Sequence, residues 1–190
     1  MRDAVSKERQ IVVDILSKSF DKNSSVNYLI PQNRSRERRL RRLMEYSFDY
    51  CTLFGKVLLT RELNACALVV IPERERTTLK SLILSVRLMF RTIGIGNLGK
   101  AMRREAAIKK LHAGPGRRYL WFIGVSPESQ GRGVGTDLLK EIIADAEGTN
   151  SPLYLETSVE RNLSFYSKLG FKKYAELDFG YRLFCMKRDI

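Results

Sequence analysis

Three glycines fall within five positions in "QGRGVG", Gln130 to Gly135. The stretch lies between an apolar run, "YLWFIGV", and a helical pattern, "TDLLKEIIADA". Glycines are costly to hold in one conformation, so a corner rich in them needs bare backbone. A strand that turns through glycines into a helix can bind an anion. The first N–H groups of the helix lack internal partners, the helix dipole adds positive potential, and no Cβ obstructs a phosphate. Here the N–H groups from Arg132 to Thr136 could converge on a pyrophosphate, with Arg132 adding charge and Thr136 a hydroxyl. A Walker loop would need a Lys that this corner lacks. A G-x-G-x-x-G dinucleotide fingerprint is approached by Gly131, Gly133 and Thr136, with Glu156 near the ribose-binding position. Too little chain follows, however, for the usual further βαβ units. A tight turn without any ligand is the plain alternative.

Other side chains offer chemistry. Glu156 ends the apolar stretch "LYLE", and Asn162, Phe165 and Tyr166 lie in "RNLSFYSKLGF". Cys51, Cys66 and Cys185 are widely spaced with no CxxC pair, which makes a zinc site improbable and points to reduced thiols in a cytoplasm. The single histidine, His112 in "KKLHAG", reads as the solvated end of a basic helix rather than as a catalytic base.

The 190 residues, 44% of them hydrophobic, suffice for one compact domain with a sizeable core. The polar start "MRDAVSKERQ" argues against a secretory leader. The longest apolar stretch, "LKSLILSVRLMFRTIGIG", is interrupted by Lys80, Arg87 and Arg91 and reads as a soluble helix, with no membrane partner. The formal charge is +13, concentrated in "RSRERRLRR" (Arg34–Arg42) and in Lys100–Arg118. Such charge attracts polyanions. It suits nucleic acid, a phosphorylated cofactor or a solvated helix face, and does not choose among them.

Periodicity supplies the elements that must position these groups. Helical spacing is expected over Lys7–Phe20, and from Arg36 with Leu40, Leu43, Met44, Ser47 and Phe48 inward. "DKNSSVNYLIPQN" between them reads as a loop. "KVLLT" and "ACALVVIP" read as a hairpin. Helices over Leu79–Thr92 and Leu98–Leu111 are broken by "GIGN". "YLWFIGV" reads as a central strand, with Trp121 and Phe122 in the core. A helix with Val134, Leu138, Ile142 and Ala146 inward follows the glycine corner. The strand "LYLETS", a short helix Asn162–Leu169 capped by Gly170, and a strand pair "FKKYAEL" and "YRLFCMKR" complete a mixed α/β sheet with helices on both faces.

"VSPESQGRGVGTDLL" resembles the coenzyme A motif R/Q-x-x-G-x-G/A of the GNAT superfamily of N-acetyltransferases, matched by Gln130, Gly133 and Gly135. "ERNLSFYSKLGFKK" resembles the second signature of that family, matched by Asn162, Phe165, Tyr166, Leu169, Gly170 and Phe171. Over Tyr119–Arg188 the likeness extends to puromycin N-acetyltransferase and related antibiotic-modifying enzymes. The first half matches only in the order of its elements.

The resemblance implies a single domain over residues 1–190 with a splayed central sheet. Residues 1–117 would set the acceptor and residues 118–190 would bind acetyl-CoA. It implies direct acetyl transfer, without an acyl-enzyme, to the primary amine of a small molecule. The glycine corner (Gln130, Gly131, Arg132, Gly133, Val134, Gly135, Thr136) would dock the pyrophosphate. Ile123, Gly124 and Val125 would hold the pantetheine arm like an added strand, with a bulge at Gly124–Val125 freeing the Val125 N–H for the thioester oxygen. Tyr166, protonated at neutral pH with an ordinary pKa of about 10, would give the leaving thiolate its proton. Asn162 would bind the cofactor or cap its helix, and Phe165 would line the same site. Glu156 would take the proton of the amine, or pair structurally with an arginine. Asp178, Glu160 and Tyr181 are further candidates for orienting a cationic substrate. The segment Leu79–Leu111 would border the acceptor as a lid hinged at "GIGN". Other readings remain: a protein or peptide acceptor, a non-catalytic acyl-CoA sensor, and a basic nucleic-acid-binding module. A homodimer is one assembly open to such a chain.

Overall fold

The computed structural model describes residues 1–112 and 114–190. A short strand β1 (Arg2–Asp3) leads into helices α1 (Arg9–Ser19), α2 (Ser24–Leu29) and α3 (Arg36–Phe54). The hairpin β2 (Gly55–Leu59) and β3 (Ala65–Val70) follows, then α4 (Leu79–Leu88), a π-helical turn (Met89–Ile93) and α5 (Ile95–Leu111). Strand β4 (Arg118–Val125), helix α6 (Val134–Glu147), strand β5 (Leu153–Thr157), helix α7 (Arg161–Ser167) and the pair β6 (Lys172–Asp178) and β7 (Arg182–Arg188) complete the order.

The seven strands form one sheet in the order β1-β2-β3-β4-β5-β7-β6. Its neighbours are antiparallel except β4 and β5, which are parallel. Strand residues point alternately to the two faces, and the two cores divide accordingly. Val57, Leu59, Cys66, Leu68 and Val70 pack under α1 and α3 with Val12, Leu16, Leu40, Met44 and Phe48. Leu58, Ala67 and Val69 pack under α6 and α7 with Leu138, Leu139, Ile142 and Tyr166. Burying the face of α3 that the spacing marks also buries Cys51 and Phe54 beyond it.

Three features depart from the sequence reading. The segment expected to be a loop contains α2. Asn23 caps it, its side-chain oxygen accepting the Val26 N–H at 3.1 Å, and Val26 is buried against the core. A six-residue helix is too short for periodicity to announce. The strand β1 extends the sheet by two residues at its edge.

The third departure is the bulge. It was expected at Gly124–Val125, yet those residues pair regularly with Cys66 and Ala65. The register shifts where Leu68 faces Phe122 and Val69 faces Leu120, leaving Trp121 as the extra residue. A bulge sets two consecutive residues against one. As a result Trp121 and Phe122 both lie with the α1–α3 core. Leu120, Ile123 and Val125 lie with the α6–α7 core.

Gly124 has a packing reason. A Cβ there would stand 3.0 Å from Leu16 Cδ2 and 3.0 Å from Ser19 Oγ, so α1 rests directly on this strand. Leu16 is fully buried and cannot swing away. Gly124→Val is therefore expected to destabilise the fold by about 1–3 kcal/mol through overpacking, read as a lowered midpoint in denaturant unfolding. An unchanged midpoint would show that α1 is free to lift.

Candidate active site

The glycine corner begins after a 3-10 turn, Pro127–Ser129. Gly131 (φ +76°) and Gly133 (φ +81°) adopt the left-handed region, and Gly133 is the N-cap of α6. Only glycine enters that region freely. Space around both is open: a Cβ at either would meet nothing within 4 Å. No side chain among the described residues caps α6, so its leading N–H groups face outward without an internal partner. Gly135 answers a different demand, since its Cβ would lie 3.2 Å from Val125 Cγ2 where α6 crosses β4. Arg132 is exposed, and Val134 and Thr136 are half-buried. These bare N–H groups at the positive end of the α6 dipole fit a diphosphate.

Strands β4 and β5 pair only at Arg118↔Leu153 and Tyr119↔Tyr154, then part. Beyond Tyr119 the β5 side of β4 has no ladder partner among the described residues. The Ser126 N–H donates to the Asn64 carbonyl at 2.8 Å, on the β3 side. Strand alternation therefore turns the Val125 N–H and C=O toward the gap. The Val125 carbonyl accepts from Ser19 Oγ at 3.0 Å and from Gln130 Nε2 at 3.1 Å. Gln130 thus straps the glycine corner to the strand. Ile123 and Val125 edge the same core that holds Tyr166.

Tyr166 stands between Phe165 and Phe171, with ring centroids at 5.1 and 5.7 Å. It is 6% exposed, and burial pushes its hydroxyl up to about 12. Asn162 is not a cap: α7 starts one residue earlier, with Glu160 at the N-cap position. Its amide reaches Thr157 Oγ1 at 3.5 Å, a long contact that links α7 to the end of β5. Among the weaker candidates, Glu160 is an exposed partner of Arg182 at 2.8 Å, and Asp178 accepts the Gly180 N–H in the turn between β6 and β7.

A cavity of about 670 Å³ lies between the sheet and helices α3, α4 and α5. Its walls include Tyr46 and Tyr50 of α3, Trp121 and Phe122 of β4, and the inner face of α4 and α5. Tyr50 donates to Glu75 at 2.7 Å and meets Trp121 edge-on. Trp121, expected in the core, is half-buried and lines this cavity.

Glu156 also lines the cavity, with its side chain only 3% exposed. One carboxylate oxygen lies 2.7 Å from His112 Nε2, and the other accepts the Tyr119 hydroxyl at 2.5 Å. The expected arginine partner is absent from its hydrogen bonds among the described residues. His112, expected in solvent, has a side chain 8% exposed and sits between the rings of Tyr119 and Tyr154. Burial, then the charge of Glu156, holds the Tyr119 hydroxyl well above its ordinary range, while Arg104 opposes the rise. Arg104 reaches Ser25 Oγ at 2.9 Å and Tyr181 Oη at 3.2 Å. A buried cation and a buried anion thus share one cavity.

Tyr119 and Arg104 were not singled out from the sequence, and His112 was read there only as a solvated helix end. No spacing within the chain joins residues 112, 119 and 156; the parallel pairing Tyr119↔Tyr154 does. "GIGN" does mark a break: Gly94 (φ +77°) separates the π turn from α5, and the two helical pieces meet at 118°.

Residues 91–173 match the family model for the acetyltransferase (GNAT) domain. Three solved structures are similar over the whole of this chain. One is a histone acetyltransferase HPA2 and related acetyltransferase from Corynebacterium glutamicum (21% identity, 95% of that chain, TM-score 0.70). A second is the C-terminal condensation domain of Ebony in complex with beta-alanyl-dopamine (13% identity, 97% of that chain, TM-score 0.70). A third, from Desulfovibrio desulfuricans, is assigned to the GNAT family (16% identity, 96% of that chain, TM-score 0.58). At these identities the structures speak for the fold, which is that of GNAT acetyltransferases, and the acetyltransferase (GNAT) domain is matched over somewhat less than half of the chain. Acetyltransferases of that family take their acyl group from acetyl-CoA.

Tyr166 links the site to stability. Its folded-state pKa, about 12, exceeds the unfolded value of about 10. Its contribution is therefore complete below pH 10 and disappears as pH rises through 12. Across that window wild-type protein should lose roughly 2–3 kcal/mol more stability than Tyr166→Phe, measured as unfolding free energy against pH. Parallel profiles would mean that the hydroxyl is not desolvated.

Proposed function

We propose that the chain transfers acetyl from acetyl-CoA directly to the primary amine of a small molecule. The observation that carries this reading is the cavity of about 670 Å³ beside the splayed strands, with Glu156 buried in its wall. Its volume is that of a small-ligand site. Residues 118–190 bind the donor, and residues 1–117 shape most of the acceptor pocket.

Acetyl-CoA supplies an activated acyl group. The chain does the rest by holding two reactants together and moving protons. The N–H groups at the head of α6, with Arg132, neutralise the diphosphate. The free edge of β4 at Ile123 and Val125 aligns the pantetheine arm. The Val125 N–H donates to the carbonyl oxygen as negative charge grows there, an effect worth about 3 kcal/mol in comparable sites. The amine nitrogen bonds to the acyl carbon as the C–S bond breaks. Glu156 accepts the proton that the amine sheds; its two hydrogen bonds leave lone pairs free. Tyr166, kept neutral by burial, returns a proton to the sulfur. His112 and Tyr119 hold the carboxylate in one orientation.

The narrower likeness to antibiotic-modifying enzymes rests on the C-terminal residues alone. The acceptor class is tested by following thiol release from acetyl-CoA with a panel of small amines and a panel of peptides. Turnover on small amines supports the reading; turnover confined to peptides moves the acceptor to the protein class. Cofactor binding without any turnover would favour a sensor.

Gly135→Glu places bulk and negative charge at the head of α6 and should abolish the acetyl-CoA-induced rise in melting temperature. A retained rise would remove the diphosphate from this corner. Tyr166→Phe should lower kcat by roughly 10²-fold or more while leaving acetyl-CoA affinity nearly intact. Unchanged kcat under chemistry-limited conditions would exclude Tyr166 as the acid.

A further inference from the structure

Ten large apolar residues are exposed among the described residues, and seven belong to one segment between Leu79 and Met102. Five of them, Leu79 (76% exposed), Leu82 (54%), Ile83 (44%), Val86 (43%) and Phe90 (59%), recur along α4 and its π turn at the spacing of one helix face. Ile95, 75% exposed, continues the apolar surface past the bend. The opposite face of α4 is already satisfied: Leu84 is buried, and Ser85 and Leu88 line the acceptor cavity. The helix therefore has an inner face with a job and an outer apolar face with no partner in the fold.

Charge says what covers the outer face. Residues 79–103 carry five cations, Lys80, Arg87, Arg91, Lys100 and Arg103, and no carboxylate; Arg104, which follows, is turned inward, and Glu105 lies beyond it. Lys80, Arg87 and Arg91 are exposed and fall along one border of the stripe by helical spacing. A two-fold contact between copies through this face would set cations against cations with no acid from this segment to relieve them. An exposed run of Leu, Ile, Val and Phe is the wrong surface for a nucleic acid, which asks for cations and stacking rings.

We propose that the outer face of α4 docks on the surface of an anionic lipid bilayer. The apolar stripe enters the acyl boundary and the basic border meets the headgroups. The docking is peripheral. Residues 79–93 span only about 22 Å as a helix, against a hydrocarbon core of about 30 Å, and no single helix among the described residues is long and apolar enough to cross a membrane. Because the same helix walls the acceptor cavity, docking sets that cavity against the lipid surface. The proposal is independent of the acyl-transfer reading.

The test is flotation of the intact chain with two vesicle preparations at physiological ionic strength: phosphatidylcholine alone, and phosphatidylcholine with about a third phosphatidylglycerol. The protein should float with the anionic vesicles and at least roughly tenfold less with the neutral ones. Val86→Glu/Phe90→Glu should lower anionic partition by roughly tenfold or more with an unchanged melting temperature, since both side chains are exposed. A second variant, Lys80→Gln/Arg87→Gln/Arg91→Gln, should weaken binding and reduce its salt dependence, and serves as the readout if the first fails to fold. Absent flotation, equal flotation with both vesicles, or full binding by the variants would overturn the proposal. So would a sedimentation experiment showing a dimer that the apolar variant dissociates, or competition by RNA that matches the vesicles.

Discussion

Strands β4 and β5 run side by side for two residues and then part. Every backbone N–H and C=O removed from water must find a partner, so a sheet does not open at its centre without consequence. The opening leaves the β5 side of β4 without a ladder from Leu120 to Val125. The protein satisfies part of that edge itself. Ser19 and Gln130 both donate to the Val125 carbonyl, which leaves the N–H of the same residue turned to the gap. At Val125 the acceptor is thus occupied and the donor is left free. The glycine corner and the cavity that holds Glu156 both border this one discontinuity.

The bulge at Trp121 lets the strand serve two chemistries. Without it, Leu120 and Phe122 would share a face. With it, the aromatic pair Trp121–Phe122 turns to the cavity under α3, while Ile123 and Val125 turn toward α6 and Tyr166. The shift also brings Gly124 under α1, where only a glycine leaves room for Leu16 and Ser19. The position of Ser19 against Val125 thus depends on the bulge and on the missing side chain three residues further along the strand.

The parts that the sequence made legible are those in which residue type answers a local demand. Glycines at Gly131 and Gly133 meet positive φ, the stripe from Val134 to Ala146 meets a sheet, and the Leu40–Phe48 spacing meets a core. What stayed hidden depends on contacts between distant segments. The buried group of His112, Tyr119 and Glu156 is assembled by a two-residue register between strands and by the path of α5, neither of which leaves a mark in any one stretch. For the same reason His112 looked solvated: a histidine after a basic helix carries no sign of the two tyrosine rings that enclose it. The bulge was misplaced by three residues because a glycine suggests irregular backbone, whereas Gly124 is there for close packing.

The arginine-rich stretches show why net charge is a poor guide to partners. In "RSRERRLRR", Arg36 is bound to Asp21 at 2.6 Å and Arg41 to Asp14 at 2.6 Å. Arg39 and Arg42 cover the carbonyls at the end of the α4 helical segment, where a cation is favoured by unpaired acceptors and by the helix dipole. In the second stretch, Arg104 is drawn inward to Ser25 and Tyr181. These cations are committed one at a time: Arg36 and Arg41 tie α3 to α1 and the turn after it, Arg39 and Arg42 tie α3 to the end of the α4 segment, and Arg104 ties α5 to α2 and Tyr181. The surplus that a polyanion could use is smaller than the formal charge suggests. Arg39, Arg42 and Arg104, which read as surface in the sequence, instead hold the helices that wall the cavity.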